Sequence, residues 1–249
     1  MVLDPNNQID ICQTPVSDNF INDQIGCLEG TITFVQDIQC FGDNNGSAFV
    51  TPIDGNPPYT FLWSPSGETT QTAVSLTPGI NTVTITDFCG ATFIQTIDIQ
   101  EPPLLVSSFE QTNIACNGDS TGDIDLTVVG GTPPFSFLWN DGITTQNRIN
   151  LPAGSFTVTI TDTNNCVITE SITLTEPPLL IVTEQSMDIL CNGEATGSID
   201  LTVTGGVSPF TFAWNDGVTT EDRSSLLAGT FLVTVTAVSY THLTLPTNR

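Results

Sequence analysis

The sequence predicts an all-β protein built of tandem β-sandwiches, and three observations carry that expectation. First, one stretch occurs three times, most clearly as Gly131-Thr132-Pro133-Pro134-Phe135-Ser136-Phe137-Leu138-Trp139-Asn140-Asp141-Gly142. Its counterparts are Asn56-Pro57-Pro58-Tyr59-Thr60-Phe61-Leu62-Trp63 and Ser208-Pro209-Phe210-Thr211-Phe212-Ala213-Trp214-Asn215-Asp216-Gly217, so tryptophans recur at 63, 139 and 214, spaced by 76 and 75 residues. That spacing is the length of a structural unit. Second, apolar residues alternate with polar ones over short runs bounded by Gly, Pro, Asn and Asp, the pattern of half-buried strands. Third, no segment shows a helical period, and six or seven short antiparallel strands per unit imply a sandwich.

Residues 1–30 do not fit the period and read as a partial preceding module or a linker, in which Cys12 and Cys27 could bridge each other. Residues 31–103 form the first repeat, 104–178 the second, and 179–237 a truncated third. The second repeat is the most complete. Leu104 to Ile114 supplies an opening strand. In Gly122-Asp123-Ile124-Asp125-Leu126-Thr127-Val128 the residues Ile124, Leu126 and Val128 share one face. The Gly-Thr-Pro-Pro turn follows, then the aromatic strand with Phe135, Phe137 and Trp139 in phase, then a tight turn at Asn140-Asp141-Gly142. A weaker extended stretch runs to Leu151. Ala153-Gly154 turns into Phe156-Thr157-Val158-Thr159-Ile160-Thr161, with Phe156, Val158 and Ile160 inward. Cys166 closes a loop and Val167 to Leu174 makes the last strand. The unit ends on Glu176-Pro177-Pro178, as the first ends on Glu101-Pro102-Pro103; proline pairs donate no ladder bonds and stay extended, so both read as short, stiff junctions. The tryptophans read as core anchors rather than sugar-stacking platforms, because each is in phase with other apolar residues on its strand.

Composition excludes several classes of function. The 249 residues carry 27 acids and three arginines, Arg148, Arg223 and Arg249, with no lysine and a net charge of −24. A nucleic-acid partner needs a basic surface, and acidic lipid headgroups repel such a chain. No apolar run reaches the length of a membrane span, so membrane insertion is not expected. Met1-Val2-Leu3-Asp4-Pro5 lacks the basic and apolar regions of a signal peptide; export would make the chain a fragment of a longer one.

The cysteines are Cys12, Cys27, Cys40, Cys89, Cys116, Cys166 and Cys191. Cys40, Cys116 and Cys191 recur at the repeat period, and no C-x-x-C pair or histidine cluster offers a zinc site. The recurrence reads as one disulfide per repeat, hence an oxidising compartment and an exported protein. Pairing within repeats, Cys40 with Cys89 and Cys116 with Cys166, is preferred and leaves Cys191 unpaired. In a simple up-and-down count that pairing needs an even number of strands; seven strands would instead bridge Cys40 to Cys166 across the junction. The loop before Cys89 reads as shorter than that before Cys166.

The run Cys116-Asn117-Gly118-Asp119-Ser120-Thr121-Gly122-Asp123-Ile124-Asp125-Leu126-Thr127-Val128, followed by Gly-Gly-Thr-Pro-Pro-Phe-Ser-Phe-Leu-Trp-Asn-Asp-Gly, resembles the SprB repeat of gliding-motility adhesins, over roughly residues 31 to 236 in three copies. The resemblance implies Ig-like or PKD-like sandwiches in a long, exported cell-surface protein of a Bacteroidetes-type bacterium. The first copy departs from the pattern where Phe49 stands in place of the strand aspartate and where Ser-Pro-Ser-Gly follows Trp63. The third follows the second at an offset of 75 up to Thr236; residues 238–249 then share nothing with it, hold the one histidine, His242, and put Thr241 where a cysteine is due. That tail is expected to be non-native, with the repeat's final strand absent.

Catalysis has almost nothing to work with: there is no lysine, one histidine in the tail, and no Ser-His-Asp or Cys-His arrangement, so no catalytic residue and no enzyme are expected. The metal candidates are Asp43, Asp119 and Glu194, which occupy one turn in three copies, with Asp125 and Asp200 on the following strand; clustered carboxylates suit calcium. Their spacing fits no EF-hand, and a solvated acidic surface is the favoured reading, so no cofactor is expected. The expected function is a non-catalytic repeat region of an exported adhesin at the cell surface, acting as stalk or adhesive surface toward a polysaccharide or protein ligand. The alternatives are a carbohydrate-binding accessory region of a larger secreted enzyme and a pure spacer.

Overall fold

The computed structural model describes residues 27–191, 193–237 and 240–248, the last stretch and Phe34 by their backbone. Every regular element among them is a strand. Repeat 1 holds β1 (Glu29–Gln36), β2 (Gly46–Ile53), β3 (Thr60–Ser64), β4 (Thr72–Leu76), β5 (Gly79–Thr86) and β6 (Thr92–Ile99). Repeat 2 holds β7 (Val106–Thr112), β8 (Gly122–Val129), β9 (Ser136–Trp139), β10 (Arg148–Leu151), β11 (Gly154–Thr161) and β12 (Val167–Leu174). Repeat 3 holds β13 (Ile181–Met187), β14 (Gly197–Thr204), β15 (Phe210–Trp214), β16 (Arg223–Leu226), β17 (Thr230–Ala237) and β18 (Tyr240–Asn248). Among the described residues no helix is long and apolar enough to cross a membrane.

Each repeat folds into two three-stranded sheets of one topology: β1-β2-β4 with β3-β5-β6, β7-β8-β10 with β9-β11-β12, and β13-β14-β16 with β15-β17-β18. The sheets pack face to face because their strands alternate. In repeat 1, Ala48 and Val50 of β2 and Ala73 and Leu76 of β4 meet Trp63, Val83, Ile85 and Ile99 of the other sheet in one buried cluster. Repeat 3 repeats this with Ile199, Leu201 and Leu226 against Trp214, Val233 and Val235. Burying each of the valine, leucine and isoleucine side chains among these contributes about 1.5–3 kcal/mol. In repeat 2 the inward positions read from the sequence are inward: Ile124, Leu126, Trp139, Val158 and Ile160 are buried, with Phe135, Phe137 and Phe156 partly so. By compactness the chain divides into two units, one of residues up to Val106 with Val129–Phe135 and Thr161–Ile168, the other of the remainder.

Six strands per repeat match the expected number, yet a simple count of reversals misplaces the turns. In repeat 1, β5 pairs with β6 from Gly79↔Ile99 to Thr86↔Thr92. At the Ile99 end, Ile38 N–H donates to Gln100 O at 2.9 Å, which puts the β1–β2 connection there. At the Thr86 end, Phe88 N–H donates to Asn56 O at 2.8 Å, which puts the β5–β6 turn beside the β2–β3 turn. The reversal lost from the count lies between β3 and β4. After Trp63 the chain doubles back along the sandwich edge, its N–H bonded to Glu68 O and its indole Nε1–H to Thr70 O. β4 then runs antiparallel to β2, ending with Leu76 opposite Gly46, and so points the same way as β3. A repeat is therefore entered at the end where β1 starts, opposite Ile53, and left at the other, after β6.

The third repeat corrects one expectation. Its final strand is present: β18, drawn from the tail, pairs antiparallel with β17, and Val235↔Leu243 sits where Ile85↔Phe93 sits in repeat 1. The physical reason is that His242-Leu243-Thr244-Leu245 alternates polar and apolar residues, which suits an edge strand whatever its origin.

The junctions explain the paired glycines. Gly131 and Gly206 N–H donate to Pro103 O and Pro178 O, each at 2.8 Å, tying the Pro-Pro segment to the turn before the aromatic strand. Gly130 beside it has φ +74°, and a methyl group there would lie on top of the Leu104 carbonyl oxygen. Gly130→Ala is therefore expected to cost at least about 2 kcal/mol, from left-handed strain plus a backbone clash, read as the shift in a denaturant midpoint. Gly142→Ala, at φ +83° with open space around its methyl, carries the strain alone and should cost less.

Candidate functional site

Three constellations recur in the repeats, and they hold most of the residues singled out above. The first is the turn that carries the periodic cysteine. Asp43, Asp119 and Glu194 N–H each donate to the carbonyl of Cys40, Cys116 and Cys191 at 3.1 Å, with Gly42, Gly118 and Gly193 at φ near +83°: 83°, 82° and 84°. The glutamate of each Glu-Pro-Pro junction closes this turn. Glu101 Oε2 accepts from Gly42 N–H at 3.1 Å and Glu176 Oε2 from Gly118 N–H at 2.7 Å. These glutamates are charged caps on a backbone amide, and sequence reading took them only as punctuation.

The calcium candidates are not assembled. Asp43 accepts a hydrogen bond from Asn45 Nδ2 at 3.3 Å, Asp119 stands beside Cys116, and Asp125 and Asp200 lie exposed on β8 and β14, Asp200 opposite Gln185. Among the described residues no three His, Cys, Asp or Glu side chains gather closely enough to hold a metal ion, so Asp43, Asp119, Asp125, Glu194 and Asp200 do not form a shared ligand set.

The second constellation is the turn before the last strand. Asp87 and Asp162 are buried at 7% and 5% exposure and each caps its own turn. Asp87 accepts from Asn56 N–H at 3.0 Å and Ala91 N–H at 2.8 Å. Asp162 accepts from Thr132 N–H at 2.9 Å, Asn164 N–H at 2.8 Å and Cys166 N–H at 2.9 Å. Burial works against charge on Asp87, but the amides of Asn56, Ala91 and Cys89 outweigh it and hold its carboxyl below the usual range. The two turns are equally long, with Asp87 N–H bonded to Ala91 O and Asp162 N–H to Cys166 O, each at 3.0 Å. The loop before Cys89 is thus not shorter; Cys89 simply stands two positions earlier in it than Cys166. Ala237 replaces this aspartate in the third repeat.

The disulfides differ from those expected. Cys40 is bonded to Cys166, 126 residues away, with Cα atoms 5.6 Å apart. Neither Cys40–Cys89 nor Cys116–Cys166 forms, because within repeat 1 Cys40 and the Cys89 turn sit at opposite ends of β5, whose eight residues span roughly 25 Å. A disulfide needs Cα atoms within about 7 Å. Asn164 Nδ2 donates to Gln39 O at 2.9 Å beside the bridge. Cys89 is itself disulfide-bonded, while Cys27, Cys116 and Cys191 carry free thiols. The expected Cys12–Cys27 bridge is thus not made at Cys27, and Cys12 lies outside the described residues. Burial, then the charge of Asp119 and a hydrogen bond to it, push the Cys116 thiol up and keep it protonated.

The third constellation is the tryptophan. Trp63, Trp139 and Trp214 are 0%, 1% and 4% exposed, and each indole N–H donates to the carbonyl of Thr70, Thr145 or Thr220 at 2.8–2.9 Å. In repeats 2 and 3 an arginine closes over the ring. Arg148 lies 5.2 Å from the Trp139 ring centre and 5.8 Å from that of Phe156, and grips Asp141 with both guanidinium nitrogens at 3.1 and 2.6 Å. Arg223 repeats the arrangement on Trp214, Phe231 and Asp216. Chain reading counted these arginines only as charge; the signal was an arginine seven residues after the aspartate in both Asn-Asp-Gly turns. The hydrogen bond from each arginine, foremost, holds the Asp141 and Asp216 carboxyls below their ordinary value of 3.8. A lowered folded value favours the native state above the ordinary carboxylate range, and that contribution is lost as the pH falls through the lowered values. Arg148→Met, which keeps the cover over the ring, should therefore lower Tm at neutrality and flatten the acid side of a plot of Tm against pH, the variant and the parent converging below about pH 4.

The SprB repeat family profile matches residues 32–68, 108–144 and 183–219, each spanning the cysteine turn and the tryptophan strand. No curated protein matches the chain. Among solved structures, the N-terminal eight Ig domains of Down Syndrome Cell Adhesion Molecule align at 12% identity and TM-score 0.41, over 89% of this chain and 36% of that one. Domains 4–9 of the surface layer protein SbsC align at 16% identity and TM-score 0.25, over 88% and 46%. This chain thus spans less than half the length of either.

Proposed function

The chain belongs to the SprB repeat family, and from that membership we propose that it is a non-catalytic repeat region of an exported cell-surface adhesin, serving as stalk and adhesive surface. The observation that carries this reading is the Cys40–Cys166 bridge, which joins a turn of one repeat to a turn of the next. A cross-link between modules adds nothing to a catalytic pocket; it holds successive modules together, and it persists only outside a reducing cytosol. Burial of all three tryptophans supports the same reading over a carbohydrate-binding accessory region, because the rings are spent on the cores. The exposed aromatics of repeat 1, Phe41 at 50% and Phe88 at 64%, lie on turns at opposite ends of the sandwich and offer no stacking face. Antibody raised against residues 31–178 should label intact cells as strongly as permeabilised ones. Labelling that requires permeabilisation would overturn the proposal, whereas surface labelling with unchanged attachment after deletion of the repeats would reduce it to a spacer.

A further inference from the structure

The peptide chain crosses each repeat six times, but the Cys40–Cys166 bridge opens a shorter covalent route through repeats 1 and 2. β1 runs along repeat 1 from the end at which the chain enters, paired with β2 from Glu29↔Ile53 to Gln36↔Ser47. It delivers the chain to Cys40 at the other end, where Ile38 N–H meets Gln100 O. Cys166 stands at the start of β12, its carbonyl bonded to Asp162 N–H, and β12 then returns along β11, with Thr173 Oγ1 3.1 Å from Ser155 Oγ. A pull on the two ends of the chain therefore passes along β1, through the two sulfurs and along β12. Residues 41–165, which hold β2 to β6 of repeat 1 and β7 to β11 of repeat 2, form a closed covalent loop beside that route.

The two strands on the route are pulled lengthwise. Antiparallel ladder bonds lie across the strands, so a lengthwise pull on β1 strains its bonds to β2 together rather than one after another. Hydrogen bonds also tie the two repeats, from Asn164 Nδ2 to Gln39 O at 2.9 Å and from Gly131 N–H to Pro103 O at 2.8 Å. Under tension such bonds exchange for bonds to water, whereas a disulfide does not. Cys116, on the matching turn of repeat 2, is a free thiol, so after β12 tension returns to the ordinary peptide chain.

We infer that the Cys40–Cys166 bridge is a tension shunt. It carries force from β1 of repeat 1 to β12 of repeat 2, each repeat being crossed once, and keeps residues 41–165 off the path. The inference rests on the stalk reading given above and adds a mechanical property to it: while the bridge is closed, the stalk cannot lengthen by unravelling those ten strands. Opening the bridge needs a dithiol reductant, which becomes a disulfide itself as Cys40 and Cys166 become thiols.

Stretching single molecules of the full chain from its two ends, with and without such a reductant, tests the shunt. The bridge takes 126 of the 249 residues out of the path. The reduced chain should therefore reach about twice the fully extended length of the oxidised one, a gain of about 430 Å at roughly 3.3–3.6 Å per residue. Because total length is read, the result does not depend on whether the repeats stay folded once reduced. Cys116→Ser should keep the short oxidised length, and Cys40→Ser with Cys166→Ser should lengthen the oxidised chain. Equal lengths with and without reductant, or no lengthening in the double variant, would overturn the shunt and leave the cell-surface reading standing. A doubled length in a protein that fails the surface-labelling experiment would support the shunt and overturn only that reading.

Discussion

The double variant Cys40→Ser with Cys166→Ser is expected to lose about 5 kcal/mol of stability, the largest effect of any polar change in the chain. The bridge closes 126 residues, and chain entropy alone assigns a loop of that size about 4.9 kcal/mol at 25 °C. A domain of one repeat's length has a net stability on the order of 4–11 kcal/mol, so the loss is of the same order as the whole. Cys116→Ser, by contrast, removes a thiol that pairs with nothing in this structure and should fall within about 0.5 kcal/mol of the parent. Chemical denaturation of both variants, with peptide mapping under non-reducing conditions, separates this arrangement from pairing within repeats. Equal losses from Cys40→Ser and Cys116→Ser, with Cys40–Cys89 and Cys116–Cys166 peptides recovered, would refute the cross-repeat bridge. Reductant should reproduce the loss in the parent chain and leave the double variant less affected, since Cys89 holds a second bridge.

Why the sequence favours pairing within repeats, with the Cys40–Cys166 bridge only as the seven-strand alternative, follows from which physical facts leave a trace along the chain. Side-chain alternation has a period of two, so the inward faces of Ile124, Leu126, Trp139, Val158 and Ile160 could be read directly, as could the three strands they belong to. The direction of a strand leaves no such trace. Residues 65–71 look like an ordinary turn, yet they carry the chain back along the edge before β4 begins, and that single lost reversal moves Cys89 to the opposite end from Cys40. Charged side chains that work on the backbone were also missed, because a carboxylate that caps an amide looks in sequence like any surface acid. Glu101, Glu176, Asp87 and Asp162 could have been suspected from position alone. Each stands immediately after a strand or before a proline pair in two copies, and the third copy has alanine in place of the aspartate. The acids chosen as metal candidates recur just as regularly, so recurrence by itself could not separate a cap from a ligand. The arginine over the ring was equally hidden, since its pairing with Asp141 depends on the turn geometry that brings residues seven apart together.

Trp139→Ala is expected to unfold or nearly unfold repeat 2, with a loss of about 3–5 kcal/mol. The indole is 1% exposed and lies at the centre of the sandwich, so its removal leaves a cavity that the β-sheet frame cannot collapse to fill. Two further losses add to the cavity. The carbonyl of Thr145 forfeits the indole donor at 2.8 Å, and Arg148 loses the ring it covers at 5.2 Å while still bound to Asp141. Trp139→Phe separates these contributions: it refills most of the volume and removes the N–H, and should cost roughly 1–3 kcal/mol, the penalty for a buried acceptor left unpaired. Coupling to the arginine is tested by a double-mutant cycle. Arg148→Met should cost less in the Trp139→Ala background than alone, because one of the two rings Arg148 covers is already gone. Additive costs would show that the arginine acts through Asp141 and Phe156 and not through the indole. The same variants decide what the tryptophan is for. If it is a core residue, Trp139→Ala shifts the denaturation midpoint of repeat 2 by its full cost; if it were a ligand platform, the midpoint would hold and only binding would fall. The burial of Trp63 and Trp214 to the same depth predicts the first outcome at all three positions.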